Sequence, residues 1–167
     1  PPPRAPRCPY PTLFRAVQAV KAFAEENGRQ GSVRYMQWVD LETELRQRLA
    51  TLINAPSQDD IALLKSTSEG LSVIAYGLDW QAGDNIVIAA EEFPSNRIVW
   101  ESLKPLGVEV ILVDLSLTDN PEQALIDSFD SRTRMLSISS VQYASGRRVQ
   151  LEVLGRACQQ QGGSLGV

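Results

Sequence analysis

The sequence of 167 residues contains no histidine. That absence excludes Ser-His-Asp and Cys-His nucleophile systems, imidazole general bases and every metal site with histidine ligands. The two cysteines, Cys8 and Cys158, are too few for a zinc knuckle or a disulfide framework. We therefore expect no metal site, and any chemistry must use other side chains or a bound cofactor.

An excess of basic charge is also missing, since 16 basic and 20 acidic residues give a net charge of −4. A nucleic-acid binder would carry a basic patch, so we expect no nucleic-acid partner. No apolar run approaches the length of a membrane span, so we expect no membrane partner. Six of the ten prolines fall between Pro1 and Pro11, without the apolar stretch of a signal peptide. We interpret this segment as an irregular arm and expect a cytoplasmic protein.

Two helices are predicted after the arm. Apolar residues at helical spacing from Leu13 to Ala24 indicate the first, with Thr12 as its cap and Asn27-Gly28 as its end. The second covers about Asp40–Asn54, with Asp40 as its cap. The chain then divides into an arm (1–11), a helical segment (12–57) and a larger domain (58–167).

Short strands alternate with helices from Asp59 onward. The predicted strands are Ile61–Leu64, Asn85–Ala90, Val108–Leu115, Arg134–Val141 and the start of a fifth at Ser164–Val167. The predicted helices are Ser68–Trp80, Ser95–Leu106 with Ile98, Val99 and Leu103 facing inward, Glu122–Phe129 after Pro121, and Leu151–Gln161 with Cys158 packed in the core. Strands that are apolar on both faces and separated by helices predict an α/β fold, with a mostly parallel sheet between two helical layers.

Ligands bind beyond the carboxyl ends of the strands in such sheets. The hydroxyl cluster Ser66-Thr67-Ser68 follows the first predicted strand and precedes a helix, whose N-terminus suits a phosphate. The alternative is that Ser68 simply caps the helix. Neither G-x-x-x-x-G-K-[ST] nor G-x-G-x-x-G is present, which argues against a nucleotide-binding P-loop or Rossmann site.

Two further strand ends carry candidate residues. Phe93 follows the strand Asn85–Ala90 and could stack on a planar ring, or it could pack beneath its own loop. The segment Ser139–Gly146 offers polar groups that could reach a ring hydroxyl, or it could be an ordinary polar turn.

Taken in order, these segments resemble the class V aminotransferase group of pyridoxal 5′-phosphate (PLP) enzymes of fold type I, which includes cysteine desulfurases and isopenicillin-N-epimerase-like proteins. The resemblance runs from Thr12 to Val167. The segments that carry it are Leu45–Ala50 with Leu52–Pro56, Thr67–Leu71, Gly83-Asp84, Glu92–Asn96 with Val99-Trp100, and Ser139–Gly146.

The resemblance implies cofactor-binding roles for five residues. Thr67 and Ser68 match donors to the cofactor phosphate. Phe93 stands where desulfurases have a ring-stacking histidine, so stacking is kept and a protonatable group is lost. Tyr143 occupies the place of an asparagine near the cofactor hydroxyl, and Gln142 is the neighbouring candidate.

The resemblance also implies that catalytic residues lie outside this chain. The family places an aspartate after a G-x-x-x-x-V strand, which Gly162–Val167 matches up to its valine, and its Schiff-base lysine lies further on. Lys21, Lys65 and Lys104 do not match that lysine. We therefore expect the N-terminal part of a large domain, inactive alone, from an enzyme that acts on an amino acid or amine and is a homodimer when intact. The alternative is a non-catalytic phosphate-binding or interaction module.

Overall fold

The computed structural model describes residues 11–167, with side chains from Phe14 onward. Its helices are α1 (Pro11–Gln30), α2 (Tyr35–Ile53), α3 (Thr67–Gly77), α4 (Ser95–Glu101), α5 (Pro121–Asp127) and α6 (Leu151–Gln161). Its strands are β1 (Asn85–Ala89), β2 (Glu109–Val113), β3 (Thr133–Ser137) and β4 (Ser164–Gly166). Short 3₁₀ turns cover Gln58–Asp60, Lys104–Leu106 and Leu115–Leu117. No described helix is long and apolar enough to cross a membrane.

The described chain forms two compact units, the first ending at Leu63 and the second running from Leu64 to Val167. The first unit holds the two predicted helices, but their predicted ends were partly wrong. Helix α1 begins one residue before the proposed cap Thr12 and continues past Asn27-Gly28 to Gln30. The predicted arm, Cys8 included, lies outside the described residues except for Pro11.

The second helix begins earlier than the proposed cap at Asp40 predicted. Helix α2 starts at Tyr35, so Asp40 lies inside it rather than at its cap. Its end was predicted correctly, because Asn54 takes a left-handed backbone conformation (φ 55°) and its N–H donates to carbonyls of the last turn.

The second unit is built around a four-stranded sheet in the order β2-β1-β3-β4, and every neighbouring pair is parallel. The predicted α/β class is confirmed. All five residues of β1 are buried, as expected for a central strand covered on both faces.

The two faces of the sheet pack against different helices. On one face, Ile86 and Ile88 pack with Trp100 and Leu103 of the α4 region and with Ala75 of α3. The opposite face carries Val87 and Ala89, which pack with Leu125 of α5 and with Leu154 and Cys158 of α6. This arrangement gives the predicted helix–sheet–helix layers and confirms that Cys158 is a core residue.

Two expectations for the residues after α2 were wrong. Ile61–Leu64 is not a strand, so the described sheet has four strands rather than five. Ile98 is 63% exposed, whereas Val99 and Leu103 are buried as predicted. The predicted strand Val108–Leu115 is confirmed as the five-residue strand β2, which is partly open to solvent because β1 pairs with one side of it and nothing described pairs with the other.

Candidate functional site

The strand order creates a crevice between β1 and β3. From β1 the chain crosses over to β2 on one side, whereas β3 and β4 lie on the other side of β1. The loops that follow β1 and β3 therefore diverge at the carboxyl edge of the sheet. Such a topological switch point is where open parallel sheets bind ligands.

Helix α3 begins with a capped N-terminus in the same unit. Ser66 is the N-cap, and its hydroxyl accepts a hydrogen bond from the backbone N–H of Glu69. The prediction that Ser68 caps this helix was therefore wrong by two residues. The first N–H groups of a helix, here those of Thr67 and Ser68, have no partner within the helix and carry partial positive charge.

The carboxylate of Glu69 would oppose an anion at this helix end, but it is already engaged. It accepts a hydrogen bond from the backbone N–H of Lys65 at 2.8 Å and lies 3.3 Å from the Lys65 ammonium. This pairing balances its charge locally.

An open groove of about 570 Å³ runs between α3 and α4. Five hydroxyl-bearing residues and four apolar residues line it: Ser68, Ser72, Tyr76, Ser95, Ser102, Phe93, Pro94, Ile98 and Val99. The groove therefore joins the start of α3 to the loop that follows β1. Among the described residues, no charged side chain lines it.

Phe93 and Tyr143 form an aromatic pair across the switch point. Their ring centroids are 5.2 Å apart and their planes meet at 88°, an edge-to-face arrangement. Phe93 is 52% exposed and Tyr143 is 63% exposed. Two rings on separate loops are thus held together while most of their surface stays accessible.

A hydrogen-bond network beneath this pair connects the loops after β1 and β3. The carboxylate of Glu92, which is 4% exposed, accepts hydrogen bonds from Ser139 N at 2.6 Å, from Ser139 Oγ at 2.7 Å and from Gln142 Nε2 at 2.7 Å. We call Glu92, Ser139 and Gln142 the amide network. It fixes the two loops relative to each other.

The backbone of Gln142 is fixed by a small hairpin. Val141 pairs with Arg148 in an antiparallel bridge, the Gln142 N–H donates to the Arg147 carbonyl, and the Gly146 N–H donates to the Gln142 carbonyl. Gly146 closes the turn at φ 68°, a conformation that suits glycine. The segment is therefore more ordered than a simple polar turn.

Helix α4 is joined to β3 by a second buried network. The Asn96 side-chain oxygen accepts hydrogen bonds from Ser137 Oγ at 2.5 Å and from Trp100 Nε1 at 3.0 Å. All three residues are buried. The start of α4, directly after Phe93, is thereby fixed to the neighbouring strand.

The structure brings some of the five predicted cofactor-binding residues close together and leaves others apart. Ser68 and Phe93 share the groove, and Tyr143 contacts Phe93. Gln142 is linked to them through Glu92, whose next neighbour in sequence is Phe93. Thr67 is exposed at the first position of α3 and does not line the groove.

The amide network was not predicted from sequence. A glutamate directly after an apolar strand was visible at position 92, but its partners lie 47 and 50 residues away along the chain.

In the described part of the chain, no three acidic or cysteine side chains come together as a metal site would require.

The family model for class V aminotransferases matches residues 9–167 of this chain. An uncharacterized aminotransferase of Schizosaccharomyces pombe is 32% identical over 111 residues, which cover 66% of this chain and 28% of that protein. A probable cysteine desulfurase of Methanothermobacter thermautotrophicus is 28% identical over 149 residues, which cover 89% of this chain and 37% of that protein.

Solved structures share the fold. The cystine C–S lyase C-DES, in complex with its product cysteine persulfide, superposes with a TM-score of 0.77 at 22% identity, covering 93% of this chain and 42% of that one. The curated relatives are longer, and this chain spans 26% to 37% of their length.

Proposed function

The chain belongs to the class V aminotransferase family, and on that premise we propose that its switch-point crevice forms part of the PLP pocket of an enzyme acting on an amino acid or amine. When bound, PLP supplies an electron sink that stabilises a carbanion on its substrate. The observation that supports the proposal most is the pairing of Phe93 and Tyr143 above the amide network, at the point where this sheet type takes ligands.

The start of α3 fits the cofactor phosphate. The N–H groups of Thr67 and Ser68 are unpaired helix donors, and the two hydroxyls add donors beside them. Ser66 is already used as the cap, and the Glu69 carboxylate is paired with Lys65. Thr67 and Ser68 would therefore bind the phosphate, and Ser68 lies in the same groove as Phe93.

The exposed ring of Phe93 fits the face of the cofactor ring. Aromatic pairs prefer offset or edge-to-face contact, and Tyr143 already holds the ring of Phe93 from one direction. Phe93 would orient the cofactor and exclude water from one side of it. Because a phenyl ring carries no titratable proton, any proton transfer on that side needs another group.

We assign the side of the ring that carries the hydroxyl group to Gln142 and Tyr143, which lie in the loop after β3.

We propose that the Schiff-base lysine comes from a part of the protein outside these 167 residues. Supporting this, Lys21 lies within α1, Lys104 lies at the start of a 3₁₀ turn, and Lys65 is paired with Glu69. We further propose that the whole enzyme is a cytoplasmic homodimer and a transferase, lyase or epimerase.

Binding of pyridoxine 5′-phosphate tests this proposal, because this probe keeps the ring, hydroxyl and phosphate but has no aldehyde to react with surface lysines. We expect saturable binding to the wild-type chain by equilibrium dialysis. Phe93→Ala should weaken it about tenfold through lost stacking. Ser68→Ala should weaken it by a similar factor through a lost charge-assisted hydrogen bond.

Leu106→Ala is the matched control. Leu106 is 52% exposed, as Phe93 is, but lies in the 3₁₀ turn that leads into β2, at the other edge of the sheet. Truncating the Leu106 side chain should leave the affinity for pyridoxine 5′-phosphate unchanged. Absence of saturable binding, or equal losses in Phe93→Ala and Leu106→Ala, would contradict the proposed pocket. Binding that tracks phosphate alone, with pyridoxine phosphate no better than inorganic phosphate, would favour a phosphate-binding module instead.

A further inference from the structure

The end of β3 carries two serines on the same side of the sheet. Ser137 is the last residue of the strand and Ser139 follows two residues later, so their side chains point the same way. Met135, two residues before Ser137, packs in the core that contains Trp100 of α4. Ile138, between the serines, is buried in the opposite core. Both hydroxyls therefore lie on the α4 side, at the carboxyl edge of the sheet.

The acceptors of the two hydroxyls lie on either side of Phe93 along the chain. Ser139 Oγ donates to Glu92 Oε2 at 2.7 Å, and Ser137 Oγ donates to Asn96 Oδ1 at 2.5 Å. Glu92 is 4% exposed and Asn96 is 7% exposed, so both contacts are protected from water. We call Ser137, Ser139, Glu92 and Asn96 the serine clamp.

The direction of these hydrogen bonds is fixed by further donors. Trp100 Nε1 donates to the same Asn96 oxygen at 3.0 Å, and because an indole N–H can only donate, the oxygen of this amide faces Ser137. Glu92 also accepts the backbone N–H of Ser139 at 2.6 Å. Each acceptor therefore keeps another donor when a serine hydroxyl is removed. Truncating a serine should loosen the clamp without leaving a buried acceptor unpaired.

Among the described residues, few other contacts hold the segment that carries Phe93. Helix α4 begins at Pro94 without a side-chain cap, and half of the Phe93 side chain is exposed. Tyr143 contacts one side of the Phe93 ring. The Asn96 N–H donates to the Phe93 carbonyl at 2.8 Å, which links the Phe93 backbone to a clamped residue. The direction of the ring thus depends on where the clamp holds its two flanks.

We propose that Ser137 and Ser139 are positioning residues, which act through Asn96 and Glu92 to hold the Phe93 ring where it can cover the face of the bound cofactor ring. This inference rests on the proposed function. A ring that is held in place before binding loses less conformational freedom when it stacks, so the clamp raises affinity. Neither serine lines the groove between α3 and α4, and we therefore expect their effect on binding to pass through Phe93.

The test measures the affinity for pyridoxine 5′-phosphate by equilibrium dialysis in a double-mutant cycle. Ser137→Ala combined with Ser139→Ala should weaken binding about fivefold, the size of one net hydrogen bond. In the Phe93→Ala background the same two substitutions should cost less than about twofold, because the ring that they position is absent. In the Ser68→Ala background they should cost the full factor, because the phosphate contact is independent of the clamp.

Thr133→Val is the matched control. Thr133 lies at the other end of β3, is 8% exposed and donates its hydroxyl to the Asn85 side-chain oxygen at 2.8 Å. It makes the same kind of buried contact at the amino edge of the sheet. Its substitution should lower the midpoint of thermal unfolding but leave the affinity unchanged. A loss of affinity equal to that of the serine double variant would show that general stability is responsible and would overturn the inference.

A measurement on the chain without ligand tests the position of the ring itself. Nuclear Overhauser cross-peaks between the rings of Phe93 and Tyr143 should be strong in the wild-type chain and in Thr133→Val. They should weaken in the serine double variant, because the Phe93 ring then samples other directions. Unchanged cross-peaks in that variant would overturn the positioning role.

The remaining outcomes separate this inference from the proposed function. Unchanged affinity in a folded serine double variant, or an equal loss with and without the Phe93 ring, would overturn the inference alone. If the double variant unfolds, Ser137→Ala and Ser139→Ala are measured singly, and each should weaken binding about twofold. Failure of the wild-type chain to bind the probe would overturn the proposed function and this inference together.

Discussion

At the residue scale, the core of the second unit includes one cysteine, Cys158. The burial of Cys158 was predicted from the helical pattern and is confirmed, and this burial raises the pKa of its thiol. Phe93 was singled out by its position after a strand and Tyr143 by the family resemblance, but their edge-to-face contact could not be predicted. The contact depends on β1 and β3 being neighbours, which no local pattern contains.

The side chain of Asp130 is a residue-scale case with a measurable pH dependence. Its pKa is lowered, first by the hydrogen bond from the Arg132 N–H and then by that from the Asn85 side chain. A carboxyl whose pKa is lower in the folded state stabilises the fold above its unfolded pKa. That stabilisation is lost as pH falls through the folded pKa.

We therefore predict that Asp130→Asn lowers the midpoint of thermal unfolding at neutral pH and that the difference from wild type shrinks in acid. Asparagine keeps an oxygen that can accept from Arg132 but cannot carry the charge. Unfolding curves by circular dichroism at several pH values below neutrality provide the measurement. A difference that stays constant down to the most acidic condition would refute the role of the charge.

At the scale of elements, the helices and strands of the second unit were largely predictable. Helix α6 was predicted residue for residue, and Pro121 begins α5 after the Asn120 cap. The wrongly predicted elements are short apolar runs, whose structure depends on tertiary contacts that the local sequence does not encode. Ile61–Leu64 has the composition of a strand, but the edge strands of the described sheet are β2 and β4, and the run pairs with neither.

The turn into β1 offers a test at the element scale. Gly83 has φ 89°, and a Cβ built there would lie 2.8 Å from the guanidinium of Arg132. Gly83→Ala should therefore lower the free energy of unfolding by roughly 1 kcal/mol or more, mainly through backbone strain, because the half-exposed end of the Arg132 side chain can move aside.

Gly77→Ala is the comparison for that variant, because Gly77 ends α3 with no atom near its Cβ position and no positive φ. It should be neutral or slightly stabilising, since alanine is the better helix former. Denaturant unfolding measures both free energies. Equal effects of the two substitutions would show that the conformation at Gly83 is not the constraint.

For the whole molecule, the parallel α/β class followed from alternating elements, whereas the strand order did not. Neighbouring strands are chosen by how the crossover helices pack, and that choice creates the switch point at which the site lies. The amide network is missed from sequence for the same reason, since it joins two loops that are adjacent only in the folded sheet. Family resemblance supplied the residue types, and the fold supplies their arrangement.

Mapping pyridoxine 5′-phosphate onto the chain by ¹H–¹⁵N correlation spectra tests the central claim, a cofactor pocket at the carboxyl edge of the sheet. We predict shifts in the backbone amides of Ser68, Phe93 and Tyr143 on titration. The amides of Asp84 and Arg132, at the amino edge of the same sheet, should not move. Shifts confined to the amino edge, or none at the carboxyl edge at saturating probe, would contradict the account.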